Sequence, residues 1–179
     1  VAVPSEGAWV DGDPLDTTNL NAQVRDALTW LMEPPAAHLR QTAVQTNLAN
    51  NTFTSITFTV GEDLDSQDGH SPTTNTSRYT AHEDGWWMLT GGVSVEANAT
   101  GRRMTQWAKN GTVVSGSRID TLALSAGESV IPARTIFISL SAGDYVELQL
   151  WQNSGGTRST VVLPAEQQST LTALWIRRL

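Results

Sequence analysis

Two adjacent prolines, Pro34-Pro35, separate segments of this chain that follow different hydrophobic periods. Upstream, Leu20, Val24, Ala27 and Leu31 succeed one another at spacings of four, three and four residues, and Leu28 widens the stripe. That spacing puts them on one face of a helix. Asp16-Thr17-Thr18 offers side-chain oxygens to the free amides of the first turn. Proline has no amide hydrogen and restricts the residue before it, so the helix ends at the proline pair. A helix of about four turns is marginal alone in water. Its stripe must be covered by the rest of the chain, by a short trimeric bundle or by a docking partner.

Downstream the period becomes two. Phe53 opens a threonine-rich run in which Ile56-Thr57-Phe58-Thr59-Val60 alternates strictly, as a half-buried strand does. Glu62 to Thr76 reads as a polar loop with Gly61, Gly69 and Pro72 as breakers. An Asp84-Gly85 turn leads into a strand from Trp86 to Val95. Met104 to Lys109 forms another, closed by Asn110-Gly111, whose residues both tolerate positive φ. Ile119, Leu122 and Leu124 predict a strand ending before Ala126-Gly127. Thr135 to Leu140 turns through Ser141-Ala142-Gly143-Asp144 into Tyr145 to Trp151, and Asn153 to Gly156 breaks the chain again. Thr160 to Val162 and Leu171 to Ile176 complete the set. Many short strands at this spacing predict an antiparallel sandwich or barrel. The expected division is a helical leader over residues 1–40 and a β domain over residues 41–179.

Charge excludes one class of partner. The net charge is −7, with 11 basic against 18 acidic residues. A nucleic-acid surface needs clustered cations, and the clusters present are only Arg102-Arg103 and Arg177-Arg178. No apolar run approaches the roughly 20 residues of a membrane-spanning helix. Neither nucleic acid nor membrane is therefore an expected partner. Cysteine is absent, which removes disulfides and thiolate metal sites. Val1 to Gly7 lacks the basic and apolar regions of a signal peptide, so release by lysis inside a particle is the expected route out of a cell.

No catalytic constellation emerges, and no enzyme activity is expected. There is no G-x-S-x-G elbow, no H-E-x-x-H pair and no phosphate loop. His38, His70 and His82 read as exposed or structural. The acidic run from Glu62 to Gly69 superficially suggests a calcium loop, but Gln67 and Asp68 occupy the places where an EF-hand frame starting at Asp63 needs Asp/Asn and Gly. A solvated loop is expected there, with a calcium site of another type left open. No cofactor is expected.

Tryptophan is the unusual residue, with 7 in the chain. Trp86, Trp87, Trp107, Trp151 and Trp175 all fall in expected strands. Neighbours in a strand point to opposite faces, so one of Trp86 and Trp87 fills the core and the other faces a partner subunit, a ligand or solvent. All five are candidates for a trimer interface or an aromatic surface. A subunit interface, where aromatics concentrate, competes with a sugar-stacking platform.

The run Tyr79-Thr80-Ala81-His82-Glu83-Asp84-Gly85-Trp86-Trp87 resembles the F-T-A-P-x-x-G-x-Y segment of the jelly roll shared by the complement globular head and tumour necrosis factor. His82 replaces the proline of that segment, and Trp87 takes its aromatic place. Lys109-Asn110-Gly111 resembles the family's hairpin. Leu140-Ser141-Ala142-Gly143-Asp144-Tyr145-Val146 resembles its L-x-x-G-D-x-V turn, and Leu171 to Ile176 resembles its closing strand. The resemblance implies a mainly β fold: an antiparallel jelly-roll sandwich of about eight to ten strands behind a short N-terminal helix. It also implies a homotrimer.

The leader resembles a different group. Trp9-Val10-Asp11-Gly12, Leu20-Asn21 and Val24-Arg25-Asp26 are similar to the opening of minor tail and other virion proteins of actinobacterial phages. This implies a structural protein on the outer surface of a tailed-phage particle: a capsid decoration, head fibre or tail-associated protein. Leu20, Val24, Ala27, Leu28 and Leu31 would contact other virion proteins. The alternative is a receptor-binding module for host surface glycans.

Overall fold

The computed structural model describes residues 11–12, 16–59, 62–123 and 129–179. Trp9-Val10, Val60-Gly61, Leu124 and Ala126-Gly127 lie outside the described residues. Two compact units form, 1–35 and 36–179.

The first unit contains the expected helix. It is built from α1 (Thr17–Leu20), a π segment (Asn21–Arg25) and α2 (Asp26–Met32). The π segment inserts extra backbone into a turn and shifts the register of the stripe. Leu20, Val24, Leu28 and Leu31 are exposed, Leu31 at 76%, and Ala27 is half-buried. Trp30, outside the stripe, is buried.

The second unit is an antiparallel two-sheet sandwich. One sheet runs β10-β5-β12-β1-β3, with β9 pairing the far end of β5. Its strands are β1 (Ala36–Arg40), β3 (Glu62–Asp65), β5 (Gly85–Val95), β9 (Ser129–Pro132), β10 (Ile136–Leu140) and β12 (Thr170–Arg177). The second sheet runs β2-β11-β6-β7, with β4 on β11 and β8 on β6. It comprises β2 (Thr54–Ser55), β4 (Arg78–Thr80), β6 (Arg102–Lys109), β7 (Thr112–Val113), β8 (Ile119–Leu122) and β11 (Tyr145–Gln152).

Alternation sorts these strands into an apolar interior. Leu39, Trp87, Leu89, Leu140, Leu171 and Ala173 of the first sheet meet Tyr79, Trp107, Val146, Leu148 and Leu150 of the second. Tyr79 and Trp87 pack edge to face at 5.7 Å. Two interior polar groups are bonded to backbone carbonyls: Thr105 Oγ1 donates to that of Pro132 at 2.7 Å, and the Trp107 indole to that of Arg134 at 2.7 Å. Arg103 is buried, and its guanidinium donates to the carbonyls of Asn98, Thr100 and Arg102. Burial, with Arg158 nearby, lowers its pKa.

Four expectations change. The β unit begins at Ala36, not 41, because Ala37 and Leu39 enter the core and β1 pairs with β12. Glu62–Asp65 is an edge strand on β1 instead of loop, with Glu62 and Asp63 exposed to water. Ile56 and Phe58 are buried in alternation, yet only Thr54–Ser55 is laddered, since Phe58 N–H bonds the Thr76 carbonyl off the sheet. Thr160 to Val162 contributes an isolated bridge at Thr160, not a strand.

Candidate functional site

Two places on the β unit expose unusual chemistry. The first is the outer face of the β5 sheet. Phe137, Met88, Leu174 and Ala36 lie side by side across β10, β5, β12 and β1. Trp86 faces Ser139 and Arg177 one step along. A register shift between Trp175 and Arg177 makes Ile176 the extra residue of a bulge and re-aims the strand end. Trp86 is 40% exposed, Ile176 42% and Phe137 62%. With Arg177 they line an open groove of about 340 Å³. Beyond this apolar end the face turns polar: Thr135 bonds Thr90, His38 Nδ1 lies 2.7 Å from Thr172 Oγ1, and Arg40 forks onto Asp63 at 2.8 and 2.9 Å. The Arg40 fork holds the Asp63 carboxyl below its usual range.

The five strand tryptophans separate accordingly. Trp87 and Trp107 are fully buried in one protomer and are withdrawn as candidates for an interface or aromatic surface. Their places are filled by core packing. Trp175 is half-buried against the core. Its indole donates to the Asp84 carbonyl at 3.1 Å. Trp151 is half-buried and pairs with Met104 across the second sheet. Only Trp86 joins the exposed face of the β5 sheet.

The second place is a polar cleft of about 450 Å³. Its walls come from the loop after β3, from β4, and from the turn between β10 and β11. Asp65 builds the first wall: its carboxylate accepts the amides of Gly69 at 3.1 Å and His70 at 2.8 Å. The His70 ring is locked inside, with Nδ1 2.8 Å from the Arg78 carbonyl and Nε2 2.7 Å from that of Phe58. Carbonyl oxygens only accept, so both contacts are hydrogen bonds when both ring nitrogens carry hydrogen. Glu62 Oε1 lies 3.8 Å from Nε2. Gly69 is pressed against the Tyr79 ring and the Thr80 carbonyl, leaving no room for a β-carbon. The Tyr79 hydroxyl is buried without a partner, and burial first, then Asp65, raises its pKa.

The second wall is set by Asp144. Lys109 Nζ at 2.7 Å, the Ser141 amide at 2.8 Å and the Asn110 side-chain amide at 2.6 Å all donate to its carboxylate. The Lys109 hydrogen bond leads in lowering the Asp144 pKa to about 2, against opposing burial. On β4, the Arg78 guanidinium lies 3.9 Å over the Tyr145 ring, and its Nε stands 3.7 Å from Glu147. Ser77 Oγ donates to the same Glu147 carboxylate at 2.6 Å.

The acidic run does not gather into a metal centre. Asp65 is occupied with backbone amides and Asp63 with Arg40, and no group of three ligating carboxylates or imidazoles forms among the described residues. Nor do the histidines form a nucleophile pair. His38 is in β1 and His82 is exposed in the turn before β5. No helix among the described residues is long and apolar enough to cross a membrane. Sequence reasoning missed the cleft because Asp68 to Asn75 and Arg78 carry no motif, and the Gly143 to Tyr145 motif reads as a turn and not as a wall. The β-turn glycine and the buried-histidine loop were the available signals.

No protein-family model and no curated protein matches the chain. Solved structures do. The globular domain of zebrafish complement 1qA protein aligns with a TM-score of 0.59 at 14% identity, covering 81% of this chain and 99% of that domain. Murine APRIL gives 0.58 at 12% identity, covering 79% and 98%. Eiger TNF from S. frugiperda gives 0.58 at 11%, covering 81% and 94%. At these identities the likeness establishes architecture: the chain is mainly β, two antiparallel sheets forming a sandwich of the complement-head and tumour-necrosis-factor type, with one short N-terminal helix.

Proposed function

We propose that this chain is a non-catalytic homotrimeric component of a tailed-phage particle, displayed on its outer surface as a capsid decoration, head fibre or tail-associated protein. The observation that carries the trimer is the exposed Trp86–Phe137–Ile176 end of the β5 sheet. A contiguous apolar patch on a folded sheet face marks a contact surface. The partner is a second and third copy, because the face is continuous with the Met88–Leu174–Ala36 row and carries few charges of its own. Closed rotational symmetry lets the same patch be buried in every copy. The particle assignment is supported by the likeness of the leader to phage virion proteins. The exposed Leu20, Val24, Leu28 and Leu31 side chains, with Ala27, are the proposed contact to other virion proteins.

Because the chain has no cysteine, single thiols can be placed at will. Phe137→Cys should join copies through a short bis-maleimide, and Leu122→Cys, exposed on the other sheet, should not. Failure of Phe137→Cys to cross-link, or equal linking at both sites, contradicts the assembly face. The polar cleft favours the second reading, a receptor-binding module for host surface glycans.

A further inference from the structure

We propose that the cleft between the Asp68–Asn75 loop, Arg78 and the Gly143–Tyr145 turn binds a carboxylated sugar, such as a hexuronic acid. This deepens the receptor-binding reading and does not depend on trimer formation, because every lining residue belongs to one protomer.

The cleft is prepared by bonds to main-chain amides and carbonyls, which leave the Arg78, His82 and Asp68 side chains free to meet a ligand. Asp65 fixes the amides of Gly69 and His70, and Ser71 Oγ accepts the Thr74 amide at 3.1 Å. Arg78 N–H donates to the Asn75 carbonyl at 2.9 Å, and Thr80 N–H to that of Gly69 at 2.8 Å. Gly143 N–H donates to the Ala81 carbonyl at 2.8 Å. Asp68 and Asn75 hold φ values of +54° and +53°, so the loop is shaped by local backbone geometry. A cavity whose walls are already fixed loses little freedom on binding.

The tips that face it are of four kinds. The Arg78 guanidinium carbon lies over the Tyr145 ring, and its Nε stands 3.7 Å from Glu147 Oε1. The two terminal nitrogens remain as a planar fork, the geometry that matches a carboxylate. His82 is exposed on the same wall and adds a nitrogen donor or acceptor. Asp68 is an exposed carboxylate, which accepts hydrogens from hydroxyl groups. Thr74 and Asn75 add neutral donors and acceptors.

This set selects against simpler ligands. A bare anion would meet Asp68 and be repelled. A purely apolar ligand would leave the fork and the carboxylate desolvated and unpaired, which is costly. A polyanion would face a chain of net charge −7. A neutral sugar would use Asp68, Thr74 and Asn75 but leave the Arg78 fork empty. A pyranose carrying one carboxylate uses all of them, and a cleft of about 450 Å³ falls in the usual range for small ligands.

The experiment is titration of the full chain, followed by amide NMR shifts, with glucuronate, galacturonate, glucose and galactose. A glucuronate-ended oligosaccharide is added to separate a free sugar from a polysaccharide end. The uronates should shift resonances of Gly69, Thr74 and Tyr145, at least tenfold more tightly than the neutral sugars. Arg78→Gln should weaken uronate binding tenfold or more, and Asp68→Asn should weaken both sugar classes. His82→Gln, which removes no described bond, should weaken binding without changing the melting temperature. Arg78→Lys tests the fork while keeping the charge and should not restore full affinity. Equal binding of neutral and acidic sugars overturns the carboxylate assignment and leaves glycan recognition standing. Absence of binding at millimolar concentration overturns both at this cleft. Uronate binding unaffected by Arg78→Gln, in a variant with unchanged amide dispersion, places the ligand elsewhere and also overturns the proposal.

Discussion

Trp86 and Trp87 are adjacent in β5 and stand on opposite faces of the sheet: Trp87 is fully buried against Tyr79, and Trp86 is exposed beside Phe137 and Ile176. Under the proposed trimer, the same residue type contributes to two different equilibria. Trp87→Ala should remove about 3–5 kcal/mol of folding stability, the cost of emptying a large core site. Trp86→Ala should leave the protomer folded and weaken association, so its loss of stability should depend on protein concentration. Denaturation at two protein concentrations separates the cases. A concentration-independent loss at Trp86 would place it in the fold and not in the assembly.

Asp144 ties the β10–β11 turn to Lys109 and Asn110 of the neighbouring hairpin. Its carboxyl titrates at about 2 in the folded chain, against an ordinary 3.8. A lowered folded-state pKa contributes stability that is present above pH 4 and lost as pH falls toward 2. Allowing for solvent screening, the contribution is about 1 kcal/mol. Asp144→Asn should therefore destabilise the protein by about that amount at pH 6. The gap between wild type and variant should narrow below pH 4 and close only once the pH has fallen through about 2, as followed by urea titrations. A gap that stays constant with pH would remove the carboxylate from the account.

Gly143 in the same turn has φ of +91°, with open space where a β-carbon would stand. The constraint is conformational and not steric crowding. Gly143→Val should cost more than about 1 kcal/mol through backbone strain alone, visible as a lower melting temperature. An unchanged melting temperature would mean that the turn adapts freely.

How much of this the sequence carried depends on where the information is stored. Asn110-Gly111 and Ser141 to Asp144 are local: turn chemistry fixes them, and both hold the expected positive φ at Asn110, Gly111 and Gly143. β11 shows its alternation directly, and β5, β6 and β12 are legible as long runs of strand-forming residues bounded by turns. β1 did not, because Ala36–Arg40 follows the prolines and is too short to show a period of its own. β3 is charged throughout apart from Leu64 and is a strand only because β1 offers an open edge. The assembly face was half legible: the Trp86-Trp87 pair demanded one outward ring, but which ring was fixed by the register against Trp175 and Ile138. The cleft was illegible, since its groups come from three separated segments joined through Asp65, His70 and Asp144.

The leader is the proposed attachment segment. The boundary between the units at Pro35 sets how a deletion must be made. Removing residues 1–35 takes away Trp9 and Trp30 but should leave the β unit folded, with the near-ultraviolet signals of the five remaining tryptophans retained, and should abolish incorporation into particles. Removing residues 1–40 should unfold it, because β1 is the strand between β12 and β3. Particles still decorated by the 1–35 deletion would move the attachment surface to the β unit.

The most direct test of the central claim is the mass of the intact chain by sedimentation equilibrium at micromolar concentration. The account predicts three times the 19.3 kDa chain mass, falling to one chain for Trp86→Glu combined with Phe137→Glu. A mass of one chain for the unaltered protein would contradict it.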